Sequence, residues 1–554
     1  MENSNFFVTS NLSSVHRKDS SWFSQGINMI DCDNELCEVA MADHLDSKES
    51  MVGSIKNFFR QMFTDSSVTD VSLCIFMQTS FVESETTGWI YQTFVDNVAK
   101  FGEEHFRNVS PREMWHIPIY PQLYQKLKQY HLDWAQLAMD TCKEAGVRPW
   151  IYFRMNDLHF NHYERSFLRD PFWYQAKENG WLMGTSEYDP CMGFSGRAEC
   201  AYNYAHKEVR EWMLRYIEEM VLRYDAFGFE LDFERNINCF NYLHDTGYQE
   251  YMNDFIRKVH KIIKKGEDKH GHDIKLMVRL AHTIEDNYTY GFDVATWVKE
   301  GLVDALVPSC EEVINSEMDI AAWRKIVGND VALLVGFDDH VIRLSHQEAN
   351  SRYRARKNQV KGFYANYISK GADGCYFNNY YRDMGALAKG LNKESVTEGL
   401  RTLLVTHQDN APIGRQAYHP LPLAIHGKGN VGTDFPLNIG LIRTEEYVYL
   451  TVGYSSSDEE EAVALLPDEV NTEVTLAGQS PVAVEQREIQ EQDVAGCYYQ
   501  FKDRRALFRK SHILLRYQFK NISTDGEITV HFTNNDQTCL VVYLDLTVTP
   551  EELD

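Results

Sequence analysis

No run of about 18 or more consecutive apolar residues occurs in this 554-residue chain, and its opening stretch MENSNFFVTSNLSS has neither the basic nor the apolar part of an export signal. A membrane-spanning helix is not expected, and the cytoplasm is the compartment these features suggest. Basic residues are in short supply as well. Fifty-five Lys and Arg stand against 81 Asp and Glu, and the formal net charge of -26 repels phosphate backbones and anionic membrane surfaces. Nucleic acid and membranes are therefore not expected as partners, while sugars and other neutral ligands stay open, as does a homo-oligomer. The 11 cysteines include no Cys-x-x-Cys pair, and Cys32 and Cys37 have no visible second half-site. Free thiols packed as small hydrophobes are expected, with no metal and no cofactor. Only 14 Pro and 32 Gly, with no internal repeat, exclude fibrous and low-complexity chains.

What is present is alternation. Between about residues 70 and 390, short β-branched or aromatic runs alternate with amphipathic helical stretches, the pattern of βα units in a parallel sheet. The runs are 70–78, 147–156, 198–205, 227–233, 274–281, 305–310, 331–337 and 374–380. Eight such runs predict a (β/α)8 TIM barrel. Helices are predicted over 132–146, 206–224 and 248–266, and Gly146, Gly266, Gly301 and Gly374 read as helix stops. Long excursions over 79–131 and 157–197 follow strand ends, so they are expected to wall the barrel mouth. Beyond residue 400 the pattern becomes closely spaced period-two strands, which predicts an antiparallel β-sandwich over 401–554 after a barrel over 1–400. The first 40 residues are weakly patterned and read as a lead-in to the barrel.

The densest chemical signal is Gly228-Phe229-Glu230-Leu231-Asp232-Phe233-Glu234-Arg235, at the end of the fourth predicted strand. Strand alternation sends Phe227, Phe229, Leu231 and Phe233 outward to the helices, and Gly228, Glu230, Asp232 and Glu234 to the barrel axis. Buried acids need partners, and Arg154 and Arg279 are available, so Glu230 could belong to a structural ion network. Asp232, nearer the rim, fits that account less well. Arg154, Asn156, Asp157 and His159 cluster at the end of the second predicted strand, where a guanidinium, an amide and an imidazole suit recognition of hydroxyls or a carboxylate. Arg279, Glu312, Asp338 and Asn378 close the ring at the fifth to eighth strand ends.

With these residues in view, the chain resembles uncharacterised barrel families related to glycoside hydrolases, found largely in bacterial genomes, whose fourth strand has the form DGIELDF. Here that strand stands as Ala226-Phe227-Gly228-Phe229-Glu230-Leu231-Asp232-Phe233, preceded by Tyr204-Ala205-His206-Lys207-Glu208-Val209-Arg210. The Arg154-Met155-Asn156-Asp157-x-His159 run is similar too, and the likeness spans about residues 25 to 400. Phe227 replaces the Asp that usually precedes the glycine, which leaves the inward acids intact. The resemblance implies a glycosidase-type barrel with Glu230 and Asp232 in its site, often followed by a β-domain.

Glycoside hydrolysis needs one carboxyl that holds a proton near neutral pH and one that is ionised. Asp232, Glu230 and Asp338 are the catalytic candidates, and Arg154, Asn156, Asp157, His159, Arg279, Glu312 and Asn378 the substrate-binding ones, for a carbohydrate substrate. Two other classes compete. A metal-dependent hydrolase or lyase would use His159, His162, Asp157 and a fourth-strand acid, and a non-catalytic carbohydrate-binding barrel would keep the aromatics and Arg while tolerating loss of an acid.

Overall fold

The computed structural model describes residues 20–32, 46–102, 119–158, 168–184, 200–242, 245–310, 314, 316–338, 340–342, 353–378, 390–406, 420–421, 423–426, 432–456, 470–488, 512–534 and 538–553. Eight parallel strands close into a barrel: β1 (Ile27–Cys32), β2 (Asp70–Met77), β3 (Arg148–Arg154), β4 (Gly228–Asp232), β5 (Lys275–Ala281), β6 (Ala305–Ser309), β7 (Ala332–Phe337) and β8 (Gly374–Phe377). Each pairs with its neighbours in sequence, and β1 closes the ring against β8 with Ile27 opposite Gly374. A side chain at Gly374 would strike the Ile27 carbonyl, so glycine is what lets the closing strands meet.

The barrel has the expected fold with one exchange of strands. Of residues 198–205 the described part, Cys200–Ala205, forms no barrel strand and has only an isolated bridge from Tyr202 to Leu182. Its hydrogen-bonding groups go to loops instead, with the Tyr204 hydroxyl donating to the Met155 carbonyl at 2.6 Å. The missing strand is β1, inside the stretch read as a lead-in. All six of its residues are buried, so Ile-Asn-Met-Ile-Asp-Cys shows no polar-apolar alternation to advertise it. The Arg154 run therefore ends the third strand, not the second.

Two glycines also change role. Gly266 lies inside the helix Tyr248–His270, which ends one turn later at Gly271 with φ of 78°. A Cβ on Gly266 would come within 2.6 Å of Val221 Cγ1, so this glycine serves close packing on the helix Lys207–Arg223. Gly374 begins a strand, and the preceding helix Lys357–Ser369 stops at Gly371, whose φ is 101°. Gly146 and Gly301 do have the left-handed backbone of a helix stop.

The lower barrel interior is an apolar plug of Ile27, Met29, Trp150, Met277, Val307 and Leu334. Trp150 fills the space beside Gly228, and its indole N–H donates to buried Asp70 at 2.7 Å. After the barrel come a six-stranded and a three-stranded antiparallel sheet. The run Cys-Tyr-Tyr-Gln-Phe-Lys over 497–502, part of the period-two pattern beyond residue 400, lies outside the described residues. The sheets meet the barrel along the helix Lys357–Ser369: Gly362 lets it press on the main chain of Thr402, and Asn358 Nδ2 donates to Thr402 Oγ1 at 2.8 Å. Ser316 and Thr406 tie the same junction by exchanging main-chain to hydroxyl bonds at 3.0 and 3.2 Å. The described cysteines are free thiols, and no described helix is long and apolar enough to cross a membrane.

Candidate active site

Register builds the site. Arg154 on β3 pairs with Asp232 on β4, and Asp232 with Arg279 on β5, so an acid stands between two guanidinium-bearing strands. One inward step lower, Glu230 pairs in register with Tyr152 on β3 and Met277 on β5. The outward partners behave as alternation requires: Phe229 stacks on Phe153 at 6.2 Å, and Phe233 meets Phe292 at 4.9 Å.

Glu230 is fully buried, and among the described residues no guanidinium hydrogen-bonds it. Its Oε2 accepts from the Ser72 hydroxyl on β2 at 2.6 Å and the Tyr376 hydroxyl on β8 at 3.2 Å. Its Oε1 has no partner among the described residues. Burial, and next the charge of Asp232, push this carboxyl up to about 8, so it holds its proton at neutral pH. Even-numbered strands supply all three side chains of this layer, the interleaving usual inside such barrels.

The ion network lies above it and belongs to Asp232 and Glu234. Arg279 Nη1 donates to Asp232 Oδ2 at 3.2 Å, while Nη2 lies 2.7 Å from Glu234 Oε2. The other Asp232 oxygen accepts the main-chain N–H groups of Glu234 and Arg235 at 3.1 and 3.2 Å. Arg279 also donates to Ser309 Oγ at 3.1 Å and to Asn378 Oδ1 at 3.3 Å, and its guanidinium carbon lies 5.4 Å from the Tyr376 ring centroid. Asn378 passes the chain onward, donating from Nδ2 to Asp338 Oδ2 at 2.8 Å. Asp232, Arg279, Asn378 and Asp338 thus form one connected group from β4 round to the end of β7, which Glu230 joins through Tyr376.

The Arg154 group occupies the neighbouring wall. Arg154 Nη1 pairs with Asp157 Oδ2 at 3.2 Å, and Nη2 reaches the Tyr152 hydroxyl at 3.5 Å. That hydroxyl donates to Asp31 Oδ2 on β1 at 3.3 Å. Asn156 has a different place from the one expected of a substrate ligand. Its Nδ2 donates to the carbonyls of Tyr202 and Asn238 at 3.0 and 2.6 Å, and its Oδ1 accepts the Tyr202 N–H at 3.0 Å. The whole amide is committed to main chain, so it fastens the loops after β3 and β4. His159 and Glu312 lie outside the described residues, as does His162. Among the described residues, no group of three or more His, Cys, Asp or Glu side chains is placed to hold a metal ion.

Sequence reasoning did not single out Asp31, Ser72, Tyr152, Ser309 or Tyr376, and it kept Glu234 only as an inward acid. Alternation could have found two of them, since Tyr152 and Tyr376 stand two residues before Arg154 and Asn378 on the same strand faces. Asp31 was hidden with its strand.

No protein-family model matches the chain, and no curated protein matches it. Solved structures overlap it loosely. An α-L-fucosidase isoenzyme 2 from Paenibacillus thiaminolyticus aligns over 62% of this chain at 12% identity and a TM-score of 0.34. This chain spans 44% of that enzyme's length. The PgaB (BpsB) glycoside hydrolase domain from Bordetella bronchiseptica aligns over 66% of this chain and 98% of its own, at 9% identity and a TM-score of 0.37. An α-L-fucosidase from Vibrio sp. strain EJY3 aligns over 95% of this chain and 97% of its own, at 8% identity and a TM-score of 0.34. Overlaps this loose add nothing to the chemistry, which rests on the side chains at the strand ends.

Proposed function

We propose that the chain is a glycoside hydrolase acting on a carbohydrate or glycoconjugate, with Glu230, Asp232 and Asp338 as its catalytic carboxyls. The observation that carries this reading is a pair of neighbouring acids in unlike surroundings. Glu230 is a buried acid pushed up to about 8, while Asp232 faces the Arg279 guanidinium at 3.2 Å. Carboxyls whose surroundings separate them in this way suit a proton donor and an anion, the two roles glycosidic cleavage requires. Glu230 and Asp232 stand one above the other on a single strand, so they approach a sugar from the same wall. A group on another wall is needed to flank the anomeric carbon, and Asp338 at the end of β7 is the acid joined to the network there. Arg154, Asp157 and Asn378 are assigned to hydroxyl or carboxylate recognition, with His159 and Glu312 as further candidates, and Asn156 to loop support. The catalytic unit is assigned to residues 1–400 and a supporting role to 401–554.

A panel of aryl glycosides and oligosaccharides offered to the purified protein tests the reading. Turnover of one member is expected, with Glu230→Gln and Asp232→Asn each losing orders of magnitude in rate while the protein stays folded. Arg154→Ala is expected to raise KM. Near-native turnover in both amide variants, or no turnover of any glycoside, would overturn the assignment. Activity removed by a chelator and restored by a divalent ion would move the chemistry to the metal class.

A further inference from the structure

Tyr376 touches Glu230 and the arginine that pairs with Asp232. Its hydroxyl donates to Glu230 Oε2 at 3.2 Å, and its ring lies under the Arg279 guanidinium, 5.4 Å from centroid to carbon. Arg279 in turn faces Asp232 and Glu234. The tyrosine is fully buried on the short strand β8, and burial raises its own hydroxyl well above the usual tyrosine range, so it stays a neutral donor. We propose that Tyr376 is a positioning residue of this site, one side chain that anchors the Glu230 carboxyl through its hydroxyl and seats Arg279 on its ring. Resting on the glycosidase reading, this gives Tyr376 control of the spacing between the proton-holding acid and the ion pair above it.

Ser72 supplies an internal comparison, because it donates to the same oxygen at 2.6 Å but makes no hydrogen bond to Arg279. Both hydroxyls favour the ionised form of Glu230, as does Arg279, whereas burial and Asp232 oppose it. Tyr152 lies beside Glu230 on β3, and Asp31 on β1 adds negative potential at Tyr376. Tyr376→Phe keeps the ring and removes only the donor, so Glu230 should hold its proton to higher pH. Replacing Tyr376 by a ring-fluorinated tyrosine strengthens the donor and should act in the opposite direction.

The test follows the Glu230 proton without needing a substrate. Glu230→Gln mimics the protonated acid at every pH, so the difference in thermal stability between it and the parent reports ionisation of Glu230. The parent should fall behind from about pH 4.5, and the gap should stop widening near pH 8. With Tyr376→Phe in both proteins that levelling point should move up by about one pH unit, and with the fluorinated tyrosine it should move down. Ser72→Ala should also move it up. On an accepted glycoside, Tyr376→Phe should shift the alkaline limb of kcat/KM by the same amount with KM unchanged, while Tyr376→Leu, which also removes the seat of Arg279, should lower kcat. A levelling point that stays put in both the phenylalanine and the fluorinated proteins would overturn the proposal. If that point moves but no glycoside is turned over, the anchoring role stands and the glycosidase reading fails.

Discussion

Two buried arginines in this molecule are built on opposite plans. Arg401, at the start of the C-terminal sheets, faces one carboxylate, Glu446, at 2.9 and 3.4 Å, and directs its other hydrogens to the carbonyls of Gly399, Ile439 and Leu441. One cation meets one anion and the remaining partners are neutral. Arg279 faces two carboxylates, Asp232 and Glu234, and a third acid, Glu230, lies one inward position below. Burial, and next the charge of Asp232, outweigh the pull of the guanidinium on that third acid, which keeps its proton. The comparison teaches that burial of an ion pair says little about function; a surplus of acids over bases in a dry place is what creates a proton donor.

The comparison breaks if the two arginines respond alike to removal. Arg279→Ala should cost turnover by a factor of about 100 or more and also lower the melting temperature, because two carboxylates lose their cation. Arg401→Ala should cost on the order of 3 to 5 kcal/mol of stability, read by denaturant unfolding, while a soluble fraction that folds keeps its KM. Equal losses of turnover in both variants would erase the distinction.

A smaller effect sharpens it. Because the folded-state value for Glu230 is raised from 4.5 to about 8, its contribution to stability is fully present below about pH 4.5 and is lost as pH rises toward 8. Glu230→Gln should therefore melt higher than the parent at pH 9 and nearly together with it at pH 4. The difference is on the order of a few kcal/mol, at about 1.4 kcal/mol per pH unit. Glu446→Gln should show the reverse order at pH 9, since it removes the anion that neutralises Arg401. Smallest of all, Asn156→Ala should cost about 1 to 3 kcal/mol by stranding the Tyr202 N–H and two carbonyls. Its effect on an accepted substrate should follow stability, whereas a change in KM alone would return Asn156 to the binding surface.

Much of the site was legible because strand alternation is local. From FGFELDF alone, Glu230 and Asp232 go inward and Phe229 and Phe233 outward, as the barrel has them, whereas Phe227, just before the strand, packs on Trp22 and Trp150 at the barrel floor and not outward against the helices. Their surroundings were not legible. The sequence left Glu230 more open to an ion-network role than Asp232, and the structure has the opposite, giving Asp232 the Arg279 pair and Glu230 two hydroxyls. Ser72 is 158 positions from Glu230 and Tyr376 is 146 positions away, so no local pattern announces that they meet.

Seven of the eight barrel strands in their order, the inward face of the fourth strand and the change to antiparallel sheets after residue 400 were determined by the sequence itself, because hydrophobic period is a property of neighbouring residues. Closure was decided only in three dimensions. Whether Ile27–Cys32 or residues 198–205 completes the ring depends on which segment can hydrogen-bond to β2 and β8 together, and that requires both strands already in place. The same closure brings Ser72, Glu230 and Tyr376 to one level and leaves a single guanidinium between two acids. Which carboxyl keeps its proton is then set by burial and charge summed over several strands, a quantity that no stretch of sequence contains.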